Sequence, residues 1–372
     1  LAGDAGRRER WNALAEAARS EVRARAAAAQ IPHAAALLKG AEEHAGVGGR
    51  AFWQVLTIYE MQVAEQLRDR AGDSRALRSV AAGCTGLACG QSGLAGQTEE
   101  VDVHVYDYGA EDVVVGLKCT PAPHVALVYD PACTFCPIGL SPIGLCVSRF
   151  TLYPTSGAEQ RRPPADPERP GGLPLAVVLW ELLLSERSLS EALEWLRGLF
   201  QGTGPAMMSG AALLLSQPGQ GAVLVEWSPS TLWVSPRTDD GILVHANHCV
   251  IGSALQDDCS SQLRRILEAS RWRQAEVEDF YAGELLAGQP ASLSIPRLKA
   301  ALSVSAVQND SVLATVVLSP LERALHVRFR LQSEGMDLVQ NTLDCDFWQR
   351  FAEEDLEQRR RRWGNASAAR EE

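Results

Sequence analysis

Ala81-Ala82-Gly83-Cys84-Thr85-Gly86-Leu87-Ala88-Cys89 is where the chain changes character. Before it lies sequence that reads as almost entirely helical. After it the pattern turns to strands. Thr85–Cys89 predicts a short strand, and Gly90-Gln91-Ser92-Gly93 has turn composition. Leu94–Thr98 then returns, so the unit reads as a β-hairpin with Cys84 at its outer end.

Upstream, Trp11, Leu14, Ala17, Ala18 and Val22 recur at helical spacing and predict a helix over 8–30. Ile31-Pro32 ends it, because the residue before proline is pushed out of the helical region. A second helix is predicted from His33 to His44, and a third from Arg50 to Arg70 with Phe52, Val55, Leu56, Tyr59 and Val63 as its apolar stripe. Downstream, strands are predicted at Val113–Cys119, His124–Tyr129 and a pair within Ile138–Val147. The Pro- and Arg-rich stretch 155–172 reads as a surface insert. A helix pair follows at Leu175–Ser185 and Ser190–Phe200, with Ser188 as N-cap and Glu191 as its capping-box partner. Strands are expected at Ala211–Ser216, Ala222–Trp227, Thr231–Val234 and Ile242–His245. Helices are expected at Asp257–Arg273 and 276–287, then strands at Leu302–Gln308, Val312–Leu318 and Ala324–Leu331. The chain closes on a charged helix from Asp346 to Trp363.

The 372 residues suffice for a sizeable core, and 46% apolar with 22% charged is an ordinary globular composition. A net charge of −11 argues against a nucleic-acid partner, which wants a basic face. No apolar run reaches the 18 or so residues of a membrane span, so no membrane partner is expected. The sequence opens at Leu1 rather than Met. A cytoplasmic location is the expectation, with secretion or organelle targeting left open. Nine cysteines spread over a long chain do not read as a disulfide framework. Cys133-x-x-Cys136 lacks a second pair at metal-binding spacing, so no metal is expected. Arg359–Arg362 reads as a solvated helix end, and the sequons at Asn309 and Asn365 are weak signals.

Helices, strands, a helix pair and strands again make an α+β fold, and a four-layer αββα sandwich is the architecture that order suggests. Several motifs sharpen this. Gly83-Cys84-Thr85 is followed by Gly96-Gln97-Thr98-Glu99-Glu100, then by Ile138-Gly139-Leu140-Ser141-Pro142-Ile143-Gly144-Leu145. Val225-Glu226-Trp227-Ser228-Pro229-Ser230 leads to His245-Ala246-Asn247-His248-Cys249, and Leu313–Pro320 comes last. In order and spacing these motifs resemble the acyl-CoA:isopenicillin N acyltransferase family. Its members are self-processing N-terminal nucleophile hydrolases, also grouped as C45 peptidases.

The resemblance implies the αββα fold and scission of the Gly83–Cys84 bond. It implies a small chain 1–83 and a catalytic chain 84–372, two parts of one fold, with Cys84 as nucleophile. It also implies Asn247 in an oxyanion hole and Glu100, where a member has Asp, as an orienting carboxylate near Cys84 and Thr85. Acyl-CoA enters only as a co-substrate, beside a small amide, and no cofactor is implied. Ser228 matches a Ser-Pro-x-Ser segment and reads first as a turn residue, second as a substrate contact. His248 and His245 flank Asn247 and read first as strand packing, with a substrate or catalytic role for His248 second. The chain departs from the family near Asn309, where the penicillin-forming member has an arginine, and with Arg370-Glu371-Glu372 as its last residues no peroxisomal tail is expected.

The residue types make chemical sense of this. A cysteine at a chain start has an α-amine, with ordinary pKa of about 7.7–8.0, within reach of its own sulfur. The amine can take the thiol proton, so no histidine is required. Gly83 offers no side chain to obstruct attack on its carbonyl. The rival reading is a catalytically silent relative that serves as a binding or structural protein.

Overall fold

A computed structural model describes residues 5–44, 49–57, 60, 84–89, 95–100, 115–117, 125–128, 138–152, 171–202, 205–239, 241–252, 261–286, 295–302, 312–320, 324–329 and 339–344. Gly83, Cys133, Cys136, most of the 155–172 insert, Asn309, Asn365 and the predicted C-terminal helix lie outside these residues.

Among the described residues three helices come first: α1 (Ala5–Ala27), α2 (Pro32–His44) and α3 (Gly49–Leu56). The predicted third helix to Arg70 is described only to Leu56 and again at Glu60, which is helical. Strands β1 (Cys84–Cys89), β2 (Ala95–Glu100), β3 (Val115–Leu117), β4 (Val125–Val128), β5 (Ile138–Leu140) and β6 (Cys146–Thr151) follow. Next come helices α4 (Leu175–Leu184) and α5 (Leu189–Leu199). Strands β7 (Ala211–Gln217), β8 (Gly221–Ser228), β9 (Thr231–Val234) and β10 (Ile242–His245) lead to α6 (Ser261–Leu286) and α7 (Ile295–Ala301). The described chain ends in β11 (Val312–Ser319), β12 (Ala324–Phe329) and β13 (Val339–Asp344).

Among the described residues the strands form two antiparallel sheets. One has six strands in the order β10-β1-β2-β11-β12-β13, the other seven in the order β3-β4-β5-β6-β7-β8-β9. The β1–β2 hairpin forms as the sequence predicts, with Thr85 opposite Thr98 and Leu87 opposite Gly96.

Side chains alternate along each strand, and on β1, β7 and β8 both faces are buried. On β7, Ala212 and Leu214 join a cluster with Cys84, Ala88, Phe150 and Val316, which come from both sheets. Ala211, Leu213 and Leu215 face the other way, into a cluster built with α1 to α5. Leu87 and Cys89 of β1 pack instead with Val277 and Tyr281 of α6 and Leu298 of α7. Two-sided burial explains why Ala211-Ala212-Leu213-Leu214-Leu215 reads as an unbroken apolar run.

The helices on the seven-stranded sheet are tied to one another by exchanged caps. All of α4 but its last residue is buried, and its N-terminal Pro174 provides no side-chain cap. The Glu60 carboxylate supplies one, accepting from the Leu175 N–H at 2.7 Å. In return Glu181, fully buried within α4, accepts from His33 N–H at 3.0 Å and Ala34 N–H at 2.8 Å at the start of α2. Trp195 Nε1 donates to the Gln30 carbonyl at 2.8 Å, and the predicted Ser188–Glu191 capping box forms at the start of α5. Gly172, at φ +93°, is one place where glycine is required: a Cβ there would lie 2.4 Å from the Met207 backbone.

Burial pushes Glu60 up to about 7 from its ordinary 4.5, against the Leu175 hydrogen bond, which lowers it. The folded value lies above the unfolded one. The associated stability is therefore fully present below about 4.5 and is lost as pH rises through about 7. Between about pH 5 and about pH 8 the wild-type chain is expected to lose up to ~3 kcal/mol relative to Glu60→Gln. Denaturant unfolding of both proteins at the two pH values checks this. Parallel curves would rule the effect out.

Two sequence expectations are corrected, and one strand is added. Asp257–Arg273 and 276–287 were expected as separate helices, but α6 runs unbroken from Ser261 to Leu286. Its buried stripe is Leu267, Ser270, Arg273, Val277 and Tyr281, and the two polar members interrupt the hydrophobic pattern without interrupting the helix. Leu302 was expected to start a strand running to Gln308, whereas it follows the helix α7 and its N–H donates to the Leu298 carbonyl at 3.1 Å; residues 303–308 lie outside the described residues. Strand β13 was not anticipated, because Val339-Gln340-Asn341-Thr342-Leu343-Asp344 is too polar to stand out. Among the described residues no helix is long and apolar enough to cross a membrane.

Candidate active site

Cys84 is the first residue of β1, a strand flanked on both sides within its sheet. Its side chain is buried, and it belongs to the cluster between the two sheets. Antiparallel pairing sets Gly86 opposite His245 on β10. Two further steps along that register bring Asn247 alongside Cys84, although the two are 163 positions apart. The Cys84 N–H donates to Asn247 Oδ1 at 2.7 Å.

Asn247 is fully buried, and its hydrogen bonds hold it from several directions. Its backbone N–H donates to Ser270 Oγ at 2.7 Å, and its Nδ2 donates to the Thr151 carbonyl at 3.0 Å. Its Oδ1 also accepts from Arg273 Nη2 at 2.9 Å. Arg273 extends the network, since its Nε donates to Thr85 Oγ1 at 3.0 Å. Thr85, Cys84, Asn247 and Arg273 thus form one hydrogen-bonded set. An amide nitrogen carries two hydrogens, and Thr151 takes one of those on Asn247.

The two histidines are neutral near pH 7. Burial first, then the Arg271 and Arg273 charges, push His248 down to about 4. Its Nδ1 lies 2.9 Å from Ser270 Oγ. Burial, then His248, pushes His245 down to about 3. His245 stands edge-on to Phe150, with ring centroids 5.0 Å apart. Both rings are buried, His245 at the end of β10 and His248 in the segment that follows it. Cys146, also between the sheets, has a thiol pushed up to about 12 by burial, which marks it as unreactive.

The other sequence candidates fall less centrally. The β1–β2 register sets Glu99 opposite Cys84, with Glu100 one position beyond, paired to Val312 of β11. Ser228 ends β8 opposite Thr231, at the turn into β9. Among the described hydrogen bonds none joins Ser228 to the Cys84–Asn247 set. Sequence reasoning missed Arg273, Ser270 and Thr151. The signal was present for two of them: Ser270 and Arg273 are polar residues at positions where α6 should bury apolar ones. Among the described residues no group of acidic, histidine and cysteine side chains is arranged to hold a metal ion.

No protein-family model matches this chain, and no curated protein matches it. Solved structures resemble it at a distance. A Caenorhabditis elegans N-acylethanolamine-hydrolyzing acid amidase ortholog is 15% identical, with 64% of this chain and 93% of that chain covered and a TM-score of 0.45. Penicillin V acylase from Agrobacterium tumefaciens is 11% identical, covering 70% and 84%, at a TM-score of 0.34. A mutant conjugated bile acid hydrolase from Clostridium perfringens is 12% identical, covering 70% and 92%, at a TM-score of 0.41.

Proposed function

We propose that this chain is a self-processing N-terminal-cysteine amidohydrolase or N-acyltransferase of the N-terminal nucleophile type, acting on small amides or acyl thioesters. The observation that carries it is the 2.7 Å contact between the Cys84 nitrogen and Asn247 Oδ1 at the start of a central strand. The three buried clusters, one between the sheets and one against each outer face, support reading the architecture as αββα.

In the intact chain the Cys84 nitrogen belongs to the Gly83–Cys84 peptide. The Cys84 sulfur attacks the Gly83 carbonyl carbon and the C–N bond breaks. Gly83 is left as a thioester on the sulfur, and the proton goes to the freed Cys84 amine. Water then cleaves the thioester, leaving a Gly83 carboxylate and a Cys84 α-amine. That amine occupies the position now held by the peptide nitrogen, with Asn247 Oδ1 as its acceptor.

The same sulfur next attacks a substrate carbonyl, with the α-amine taking the thiol proton. The negative oxygen that forms accepts the second Asn247 Nδ2 hydrogen. Arg273, bonded to Asn247 and to Thr85, holds the amide in that orientation and adds positive charge beside it. Collapse expels the amine, which takes the proton from the α-amine. Water or an acceptor amine then removes the acyl group. Acyl-CoA would enter by the same route, with the CoA thiol as leaving group.

Intact mass of the purified protein tests the reading. Two chains divided between Gly83 and Cys84 are expected. One uncut chain, stable on incubation and unreactive toward acyl-CoA and simple amides, would instead favour a binding or structural protein.

A further inference from the structure

We infer that Glu226 is a positioning residue for the Cys84 site, acting by gripping the loop that follows Asn247. This rests on the reading of Cys84 as nucleophile. Residues 246–252 form neither helix nor strand, so their course depends on the bonds they make.

Glu226, fully buried on β8, receives a donor from each of four consecutive residues. Its Oε1 accepts from the Val250 N–H at 2.7 Å. Its Oε2 accepts from the Cys249 thiol at 3.0 Å, the Ile251 N–H at 2.8 Å and the Gly252 N–H at 3.0 Å. Successive N–H groups converging on one anion make a nest, here filled by the protein's own carboxylate. The group nearest to forming an ion pair is His245 Nδ1, 4.0 Å from Oε1, and that ring is neutral near pH 7. Among the described residues, then, the loop's donors, and not a cation, compensate the buried acid. Gly252 shows how tightly the loop is drawn in: a Cβ there would lie 2.8 Å from Cys249 Sγ and 3.2 Å from the Trp233 ring.

The consequence lies two residues upstream. Thr151, Ser270 and Arg273 hold Asn247 itself, and Glu226 holds the chain that leaves it. With both ends held, Oδ1 stays on the Cys84 nitrogen. A glutamine at 226 turns one acceptor into an NH₂ group, which confronts the loop N–H donors.

The test compares wild type with Glu226→Gln, Cys249→Ala and Cys249→Ser, each first checked for a cooperative thermal transition. The readouts are iodoacetamide labelling of the Cys84 peptide against pH by mass spectrometry, and amide hydrogen exchange at 250–252. In Glu226→Gln, labelling is expected to slow about tenfold or more, with a moved pH midpoint and faster exchange at the three amides. Cys249→Ala is expected to slow labelling several-fold. Cys249→Ser, whose hydroxyl replaces the thiol donor, should recover at least half of that loss. Because the cysteine pair probes the same grip, it decides the matter if Glu226→Gln does not fold. Normal wild-type reactivity with unchanged variants would overturn the role of Glu226 alone. A wild-type Cys84 that neither splits from Gly83 nor labels faster than the other cysteines would remove the proposed function, and the positioning role with it.

Discussion

Cys84→Ala is expected to remain a single chain of full mass under conditions in which the proposed function has the wild type divide in two, and to lose measurable turnover of amides and thioesters. Removing a nucleophile that acts together with its base costs on the order of 10⁴-fold or more. The loss should be one of chemistry and not of folding. Alanine keeps a small apolar group in the cluster that Cys84 shares with Ala88, Phe150 and Val316. The backbone N–H that donates to Asn247 is also kept. The unfolding midpoint should therefore move little, while intact mass and activity change completely. A Cys84→Ala chain that still divides at the same bond would place the nucleophile elsewhere. The other described cysteines are Cys89, Cys146 and Cys249, all buried, and none of them begins a strand after a glycine.

Asn247→Asp separates the two duties assigned to the amide. The change is close to isosteric and keeps an oxygen for the Cys84 nitrogen and for Arg273 Nη2. It removes the donor to the Thr151 carbonyl and places negative charge where the oxyanion would form. If Asn247 both anchors the Cys84 nitrogen and stabilises the oxyanion, turnover should fall by about 10²–10³-fold or more while the fold persists. The fall should appear in kcat, since the lost interaction belongs to the transition state. Activity within a few-fold of wild type would leave Asn247 as an anchor only. The Arg273 guanidinium would then be the group to test next.

Local pattern was enough where a segment's own spacing or chemistry decides its conformation. Leu14, Ala18 and Val22 are buried along α1 as their spacing predicts. Ser188 and Glu191 close the capping box three residues apart, which is a purely local bond. The turn composition of Gly90-Gln91-Ser92-Gly93 between two short segments made the β1–β2 hairpin legible. Pattern failed where polar residues occupy buried positions. The stripe of α6 passes through Ser270 and Arg273, so the helix was divided in two at the place where it serves the site. Leu302, taken for a strand start, ends a helical turn, because an apolar residue after Ile295-Pro296-Arg297-Leu298 fits either period.

By itself the sequence determined that Cys84 follows a glycine and opens a strand, and which flanking segments are helix or strand. These are matters of neighbours within a few residues, where backbone sterics and side-chain period decide. Only the tertiary structure decided what meets Cys84. Asn247 reaches it through the β1–β10 register, Arg273 bonds Asn247 and Thr85 from α6, and Glu226 holds the following loop from the other sheet. Buried polar groups must find partners wherever the fold brings them. Those partners are set by sheet order and helix placement; the motif resemblance pointed to Asn247, but nothing in the sequence around positions 226 and 273 records their place beside it.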